Sequence, residues 1–227
     1  MHIPDGILPA QVCIAGYGLT GLVTWYSLRQ INRKGDPSDQ IPKASLLTAA
    51  FFVASSIYIP IPPSSVHLVL NGLLGVVLGY FAYPAILIGL FFQALVVGHG
   101  GLTTLGVNAS MMGIPALMAY HIFQLRRVGS KADKRESLDD SFDGRAQRIR
   151  VGLFAFLGGS IGLAIAALIF TGIVITTVPA DFDFDTERAA IVSLLILHLP
   201  LALLEGTFTA MLAVFLHRVK PELLTGR

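Results

Sequence analysis

The chain has 227 residues, of which 54% are hydrophobic and 13% are charged. Ordinary soluble domains are about 45–50% apolar and about 25% charged, so this chain has too little polar surface for a soluble fold of its size. The same apolar content excludes a disordered chain. The single cysteine excludes a disulfide scaffold, and the net charge of +2 is too small to indicate nucleic-acid binding. The composition therefore indicates an integral membrane protein.

Seven apolar segments follow one another along the chain. Each is predicted to be a membrane helix, because a span needs about 20 mostly apolar residues and lipid offers the backbone no hydrogen-bond partner. The segments cover residues 10–31, 43–60, 66–81, 84–98, 106–126, 149–178 and 188–217. The third and fourth are short and are divided by Tyr83-Pro84, so they are either separate spans, one long hairpin or partly shielded helices.

The basic residues are sorted along the chain. Fifteen of the 16 lie in three regions: the connection between the first and second segments, the connection between the fifth and sixth, each taken with the segment ends that flank it, and the tail after the seventh. Seven spans place these three regions on one face, which the positive-inside rule makes cytoplasmic. We therefore predict one transmembrane domain over residues 1–227, with the N-terminus outside, the C-terminus inside and a solvated cytoplasmic loop at 128–147. No basic residue precedes Arg29, so we expect no secretory signal and a free amine at Met1.

The predicted outer face carries histidines that suit a metal ion. His2 stands beside the start of the chain, His67 opens the third segment, and His99 lies in a glycine-rich turn. The Met1 amine, the His2 amide nitrogen and His2 Nδ1 can chelate one ion with little ring strain, and His67 is the candidate for the fourth ligand. Such square-planar nitrogen ligation favours Ni(II) or Cu(II) over Zn(II). Taken alone, a histidine at position 2 is weak evidence.

Other polar and small residues have two interpretations each. Asn71 stands four residues after His67 on the same helix face, where it either orients the His67 ring or forms a helix–helix hydrogen bond. Glu205, deep in the seventh segment, either lines a cation path or anchors an internal hydrogen bond, and the lack of a neighbouring base favours the anchor. Ala50 and Ala54 form a small-xxx-small pair, which serves internal packing or the docking of another membrane protein.

Four motifs resemble the CbiM/NikM proteins, which are the substrate-binding S-components of cobalt and nickel energy-coupling factor (ECF) transporters. The motifs are Met-His-Ile-Pro-Asp-Gly at 1–6, Ser-Val-His-Leu-Val-Leu-Asn-Gly-Leu-Leu-Gly at 65–75, Gly-Gly-Leu-Thr-Thr-Leu-Gly-Val-Asn at 100–108 and Glu-Gly-Thr-Phe-Thr-Ala at 205–210. They stand in family order and span nearly the whole chain. The resemblance implies an all-α membrane fold of seven transmembrane helices, a six-helix S-component core with an extra N-terminal helix.

The resemblance also implies a metal site. In that family the N-terminal segment, here residues 1–9, tucks into the protein. The metal is held in a near-square plane by nitrogens that match the Met1 amine, the His2 amide and imidazole, and His67. The positions expected to surround the site are Asn71, His99 and Asn108.

An S-component works with partners. The resemblance implies a transmembrane coupling subunit, ATPase subunits and often a small accessory membrane protein, and it maps the family's docking motif onto Ala50 and Ala54. The chain lacks a Gly-x-x-x-x-Gly-Lys-Ser/Thr phosphate loop, so we expect no enzyme activity here and ATP hydrolysis in the partners. Co(II) or Ni(II) is expected as the transported substrate, with no catalytic cofactor, in a bacterial or archaeal cytoplasmic membrane.

Two other functions remain open from the sequence. A self-sufficient secondary metal permease is the main alternative, although such proteins more often carry charged or histidine-rich motifs within their spans. An intramembrane enzyme that pairs Ser110 with His198 is the third. The choice between cobalt and nickel is open, because both ions suit a nitrogen-rich site.

Overall fold

A computed structural model describes residues 2–61, 64–127, 140–177 and 184–225. Its helices are α1 (Ala10–Asn32), α2 (Ile41–Ser55), α3 (Asn71–Leu78), α4 (Ala82–Phe92), α5 (Leu105–Gln124), α6 (Asp140–Thr177), α7 (Phe184–Val219) and α8 (Glu222–Thr225). Short 3₁₀ turns lie at Ser38–Gln40 and Gly79–Phe81, and the π-helical turn Gln93–Val97 extends α4. Each of helices α1 to α7 overlaps one of the seven predicted apolar segments, although α3 has only 8 residues.

Two differences from the sequence prediction concern the connections. Strands β1 (Tyr58–Ile61) and β2 (Ser64–His67) form an antiparallel pair in which Tyr58 lies opposite His67. This pair takes up the predicted end of the second segment and start of the third. The described part of the predicted 128–147 loop is helical, because α6 begins at Asp140. Residues 128–139 and Met1 lie outside the described residues.

Within the described residues, three stretches are long and apolar enough to cross a membrane: Asn71–Val97, Gly144–Thr177 and Leu195–Val219. The first has 27 residues, and a straight helix of that length would separate its ends by about 40 Å. The His67 and His99 rings that flank it are only 5.2 Å apart. The chain therefore reverses within this stretch, at Gly79, whose φ of 61° breaks the helix. Helices α3 and α4 form the hairpin that was one of the three alternatives, with its turn just before Tyr83-Pro84.

The helices pack through small residues. Helix α5 contacts α1, α3, α4 and α6, and α6 also lies along α7. A Cβ on Gly159 of α6 would lie only 2.8 Å from the Gly206 Cα of α7, and a Cβ on Gly72 of α3 would lie 2.6 Å from the Gly159 Cα. Larger side chains would push these backbones apart. The small residues of α6 therefore serve internal packing.

The basic regions meet at one end of the bundle. Lys43 Nζ donates to the carbonyl oxygens of Val77, 3.3 Å away, and Leu223, 3.0 Å away. Arg126 donates to the Leu224 carbonyl oxygen at 3.4 Å. The first connection, the end of α5 and the C-terminal tail therefore lie together, whereas the N-terminal segment lies at the opposite end of α1 and α5. How many helices span a membrane, and on which side each terminus lies, stays a prediction.

Candidate metal centre

The N-terminal segment is docked into the protein by Asn108 of α5. The Ile3 N–H donates to Asn108 Oδ1 at 3.0 Å, and Asn108 Nδ2 donates back to the Ile3 carbonyl oxygen at 3.0 Å. Thr104 Oγ1 donates to the same carbonyl at 2.6 Å. The Ile3 side chain is 1% exposed and packs with Leu8 and Val107. One carboxamide thus satisfies the buried backbone of Ile3 in both directions and fixes the position of the neighbouring His2.

A second contact holds the segment against the loop before α5. The Asp5 carboxylate accepts hydrogen bonds from the Leu102 N–H at 3.1 Å and from the Thr103 N–H at 2.9 Å. A Cβ on Gly101 would overlap this carboxylate, so the close approach requires glycine. The Thr103 hydroxyl and the loop N–H groups lower the pKa of Asp5, which is exposed to solvent. Asp5 therefore remains ionised and holds the loop at neutral pH.

Three histidines from distant parts of the chain meet beside this docked segment. Their rings come from the N-terminal segment, the end of β2 and the turn after the π-helical end of α4. His2 Nδ1 lies 3.2 Å from His67 Nε2, and the His2 and His99 ring centroids are 4.0 Å apart. One ligand nitrogen from each of the three lies within 4.8 Å of the others. Such a cluster can surround a single metal ion.

The protonation of the cluster suits metal binding. Burial lowers the pKa of His67 to about 3 and that of His99 to about 4. Burial also lowers the pKa of His2 well below its ordinary value of 6.5, and the closeness of His67 and His99 adds to this shift. All three imidazoles are therefore neutral at neutral pH, and a neutral imidazole is the form that binds a metal ion.

The backbone around His67 is held by Glu205 of α7. The Glu205 carboxylate accepts hydrogen bonds from the Val69 N–H and, at 2.9 Å, from the Leu70 N–H. Leu70 has a φ of 51°, a left-handed conformation that non-glycine residues rarely adopt. Glu205 therefore acts as an internal hydrogen-bond anchor, the role that the sequence favoured. Its hydrogen bonds hold the backbone between His67 and the start of α3.

The other residues that the sequence singled out have partners or positions outside the histidine cluster. Asn71 Nδ2 donates to the Gly162 carbonyl oxygen at 3.1 Å and the Met112 carbonyl oxygen at 3.4 Å, so it makes helix–helix hydrogen bonds. Ala50 is exposed and Ala54 is half-buried against the core. The Ser110 hydroxyl hydrogen-bonds with the hydroxyls of Thr20 and Tyr83, at 3.0 and 3.4 Å.

Two residues near the cluster were not assigned to the metal site from the sequence. His198 of α7 is buried and lies close enough to His67 to interact with it. Gln93 is fully buried at the start of the π-helical turn, and its carbonyl oxygen accepts the His99 N–H at 3.1 Å. A glutamine inside an apolar segment marks a polar neighbour, but the sequence does not say which one.

A helical bundle with long apolar helices and a cluster of three histidines that could hold a metal ion points to a membrane protein of a metal-handling class. The family model that describes the cobalt uptake substrate-specific transmembrane region, CbiM, matches residues 2–223. The chain belongs to this family, as its motifs predicted, and it is a multi-pass membrane protein.

Individual relatives agree with this assignment. A putative metal transport protein from Haemophilus influenzae is 30% identical over 99% of this chain and 97% of its own length. A fused nickel transport protein, NikMN, from Rhodobacter capsulatus is 29% identical over 100% of this chain and 65% of its own length. A crystal structure of a transition metal transporter, 24% identical, has the same fold with a TM-score of 0.76 over 98% of this chain and 95% of that one.

Proposed function

We propose that this protein is the substrate-binding membrane subunit of an ATP-driven ECF importer for Co(II) or Ni(II). The metal is bound near the outer face by the amine of Met1, the amide nitrogen and Nδ1 of His2, and Nε2 of His67. The ion is the transported substrate, and the chain itself has no catalytic role. The family and the names of the relatives support metal transport, and the donor set supports these two ions.

The observation that carries the proposal is the contact between His2 Nδ1 and His67 Nε2. The two nitrogens are 3.2 Å apart. With metal–nitrogen bonds of about 2.0–2.1 Å, both can bind one ion at an angle of about 100°, near the right angle between adjacent ligands in a square plane. The chelate requires Nδ1 of His2, and Nδ1 is the His2 nitrogen that faces His67. The donor set contains only nitrogen, which suits Ni(II) and Co(II).

The third ring of the cluster, His99, lies against both His2 and His67. Its centroid lies 4.0 Å from that of His2 and 5.2 Å from that of His67, with its ring at steep angles to both. This arrangement supports a lining role beside the planar ligands. Ala50 and Ala54 lie one turn apart on α2, where Ala50 is exposed and Ala54 is half-buried, and they remain the proposed docking pair for the coupling subunit.

Metal titration of the purified full chain with an untagged N-terminus tests the site. His2→Ala should abolish tight Ni(II) or Co(II) binding, and His67→Ala should weaken it strongly. One residue inserted between Met1 and His2 should do the same, because it changes the chelate ring sizes and keeps every side chain. His121→Ala is the matched control, since that ring packs on Tyr80 and Tyr120 and not on the cluster. Unchanged affinity in the insertion variant would contradict the amine–amide–imidazole site.

Metal uptake by cells tests the transporter class. We expect uptake when the coupling subunit, the ATPase subunits and any accessory membrane protein are produced together with this chain, and no uptake when the ATPase is inactive. Uptake by this chain alone, driven by an ion gradient, would instead indicate a secondary permease. The membrane in question is proposed to be the cytoplasmic membrane of a bacterium or archaeon.

A further inference from the structure

Nε2 of His2 and Oε1 of Gln93 are buried at the histidine cluster and lack a hydrogen-bond partner among the described residues. Buried side-chain polar atoms normally have partners, and an exception calls for a physical explanation. Gln93 is tied to the cluster through its backbone, because its carbonyl oxygen accepts the N–H of His99 at 3.1 Å.

The orientation of the Gln93 amide is fixed from the opposite side. Its Nε2 donates to the Phe52 carbonyl oxygen at 3.4 Å and to the Ser55 hydroxyl, both on α2. A carbonyl oxygen can only accept, so the nitrogen of the amide must face α2 and the oxygen is left for another donor. The Gln93 side chain also lies close enough to the His2 ring to interact with it.

The tautomer of His67 determines where the proton of His2 must go. His67 Nδ1 lies 3.2 Å from the Leu68 carbonyl oxygen, so it is this nitrogen that carries the hydrogen and Nε2 that carries the lone pair. In the metal-free contact, the hydrogen between His2 Nδ1 and His67 Nε2 therefore belongs to His2. An ion bound by both nitrogens takes the place of this hydrogen, and a neutral His2 ring then carries its hydrogen on Nε2.

We propose that Gln93 is a positioning residue of the metal centre, whose Oε1 accepts the Nε2–H of His2 when Nδ1 binds the ion. The two partnerless atoms satisfy each other in the loaded state, which fixes the ring and makes Nδ1 a stronger donor. The inference rests on the proposed function, because it needs His2 to bind through Nδ1. Loss of such an outer hydrogen bond typically weakens metal binding by about 10- to 100-fold.

Three substitutions separate this role from a purely structural one. Gln93→Met keeps a similar shape and has no acceptor, so Ni(II) affinity should fall by about 10- to 100-fold. Gln93→Glu keeps an acceptor toward His2 and loses the amide donor, so it should stay within a few-fold of wild type. Ser55→Ala removes a partner of the amide nitrogen and leaves Oε1 in place, and it should also stay within a few-fold. If Gln93 served only to tie α4 to α2, Gln93→Glu and Ser55→Ala would weaken binding as much as Gln93→Met does.

A spectroscopic measurement on the wild-type full chain gives a second, independent readout. Square-planar Ni(II) is diamagnetic, so nitrogen-detected NMR of the loaded protein should show a His2 Nε2–H that exchanges slowly with water, and Gln93→Glu should retain it. A rapidly exchanging or absent signal in a planar, tightly bound wild-type site would overturn the role of Gln93 and leave the proposed function standing. A wild-type protein that binds no Ni(II) or Co(II) through His2 Nδ1 would overturn both.

Discussion

Removal of the Asn108 carboxamide should undock the N-terminal segment and weaken metal binding. Asn108→Leu keeps a similar volume, but the Ile3 N–H then loses its acceptor and the Ile3 carbonyl oxygen loses one of its two donors. An orphaned buried donor costs about 1–3 kcal/mol and a lost hydrogen bond about 1 kcal/mol, which together give about 2–4 kcal/mol. Because about 1.4 kcal/mol corresponds to a tenfold change, Ni(II) affinity should fall by about 30- to 1,000-fold.

Calorimetry with a competing chelator measures this change on the full chain with a native N-terminus. Ser110→Ala is the matched control, because Ser110 lies on the same helix and bonds to Thr20 and Tyr83 instead of the segment. It should lower the unfolding temperature without changing metal affinity. If folded Asn108→Leu protein binds Ni(II) as tightly as wild type, docking by Asn108 does not support the site, and the reasoning is wrong.

Three further outcomes follow from contacts near the site. Glu205→Gln turns one acceptor into a donor that faces a backbone N–H, so the unfolding free energy in detergent should fall by about 1–3 kcal/mol, and an unchanged melting temperature would contradict the anchor. Gly101→Ala should displace Asp5 and weaken Ni(II) binding at least tenfold, whereas Gly18→Ala, in open space, should not. The pKa of Asp5 is lowered in the folded protein by its hydrogen bonds to the loop. The stabilisation of the N-terminal segment by Asp5 is therefore complete above the ordinary pKa of 3.8 and is lost as the pH falls below that value. Proteolysis of the N-terminal segment should therefore increase at acid pH, and Asp5→Asn should remove this pH step.

The sequence predicts the helices well, because lipid-facing helices leave long apolar segments that local composition reveals. It also predicts that His2, His67 and His99 lie at the same end of the helical bundle. Successive segments run in opposite directions, and all three histidines lie at segment ends opposite the basic regions. A hairpin of the third and fourth segments was one of three alternatives, and the sequence did not place its turn at Gly79. Composition alone could not distinguish these alternatives, because a straight helix and a helical hairpin can have the same apolar composition.

Contacts between distant residues explain what the sequence does not show. The left-handed conformation of Leu70 is locally unfavourable, and the carboxylate of Glu205, which comes from distant α7, accepts its N–H. Asn71 has the right spacing to serve His67, but the backbone of α6 approaches closely and takes its amide instead. Gln93 shows no local periodicity that links it to His2, so its role depends on a tertiary neighbour.

The docking of Ile3 on Asn108 joins residues 105 positions apart, and His2 meets His67 across 65 positions. Ribosomes deliver the first of these residues long before the last. The contacts that bring His2 to His67 therefore cannot form on a nascent chain until Asn108 of α5 has been made, and the backbone after His67 is not anchored until Glu205 of α7 follows. The histidine cluster is thus assembled late in synthesis, as a product of tertiary contacts and not of any single segment.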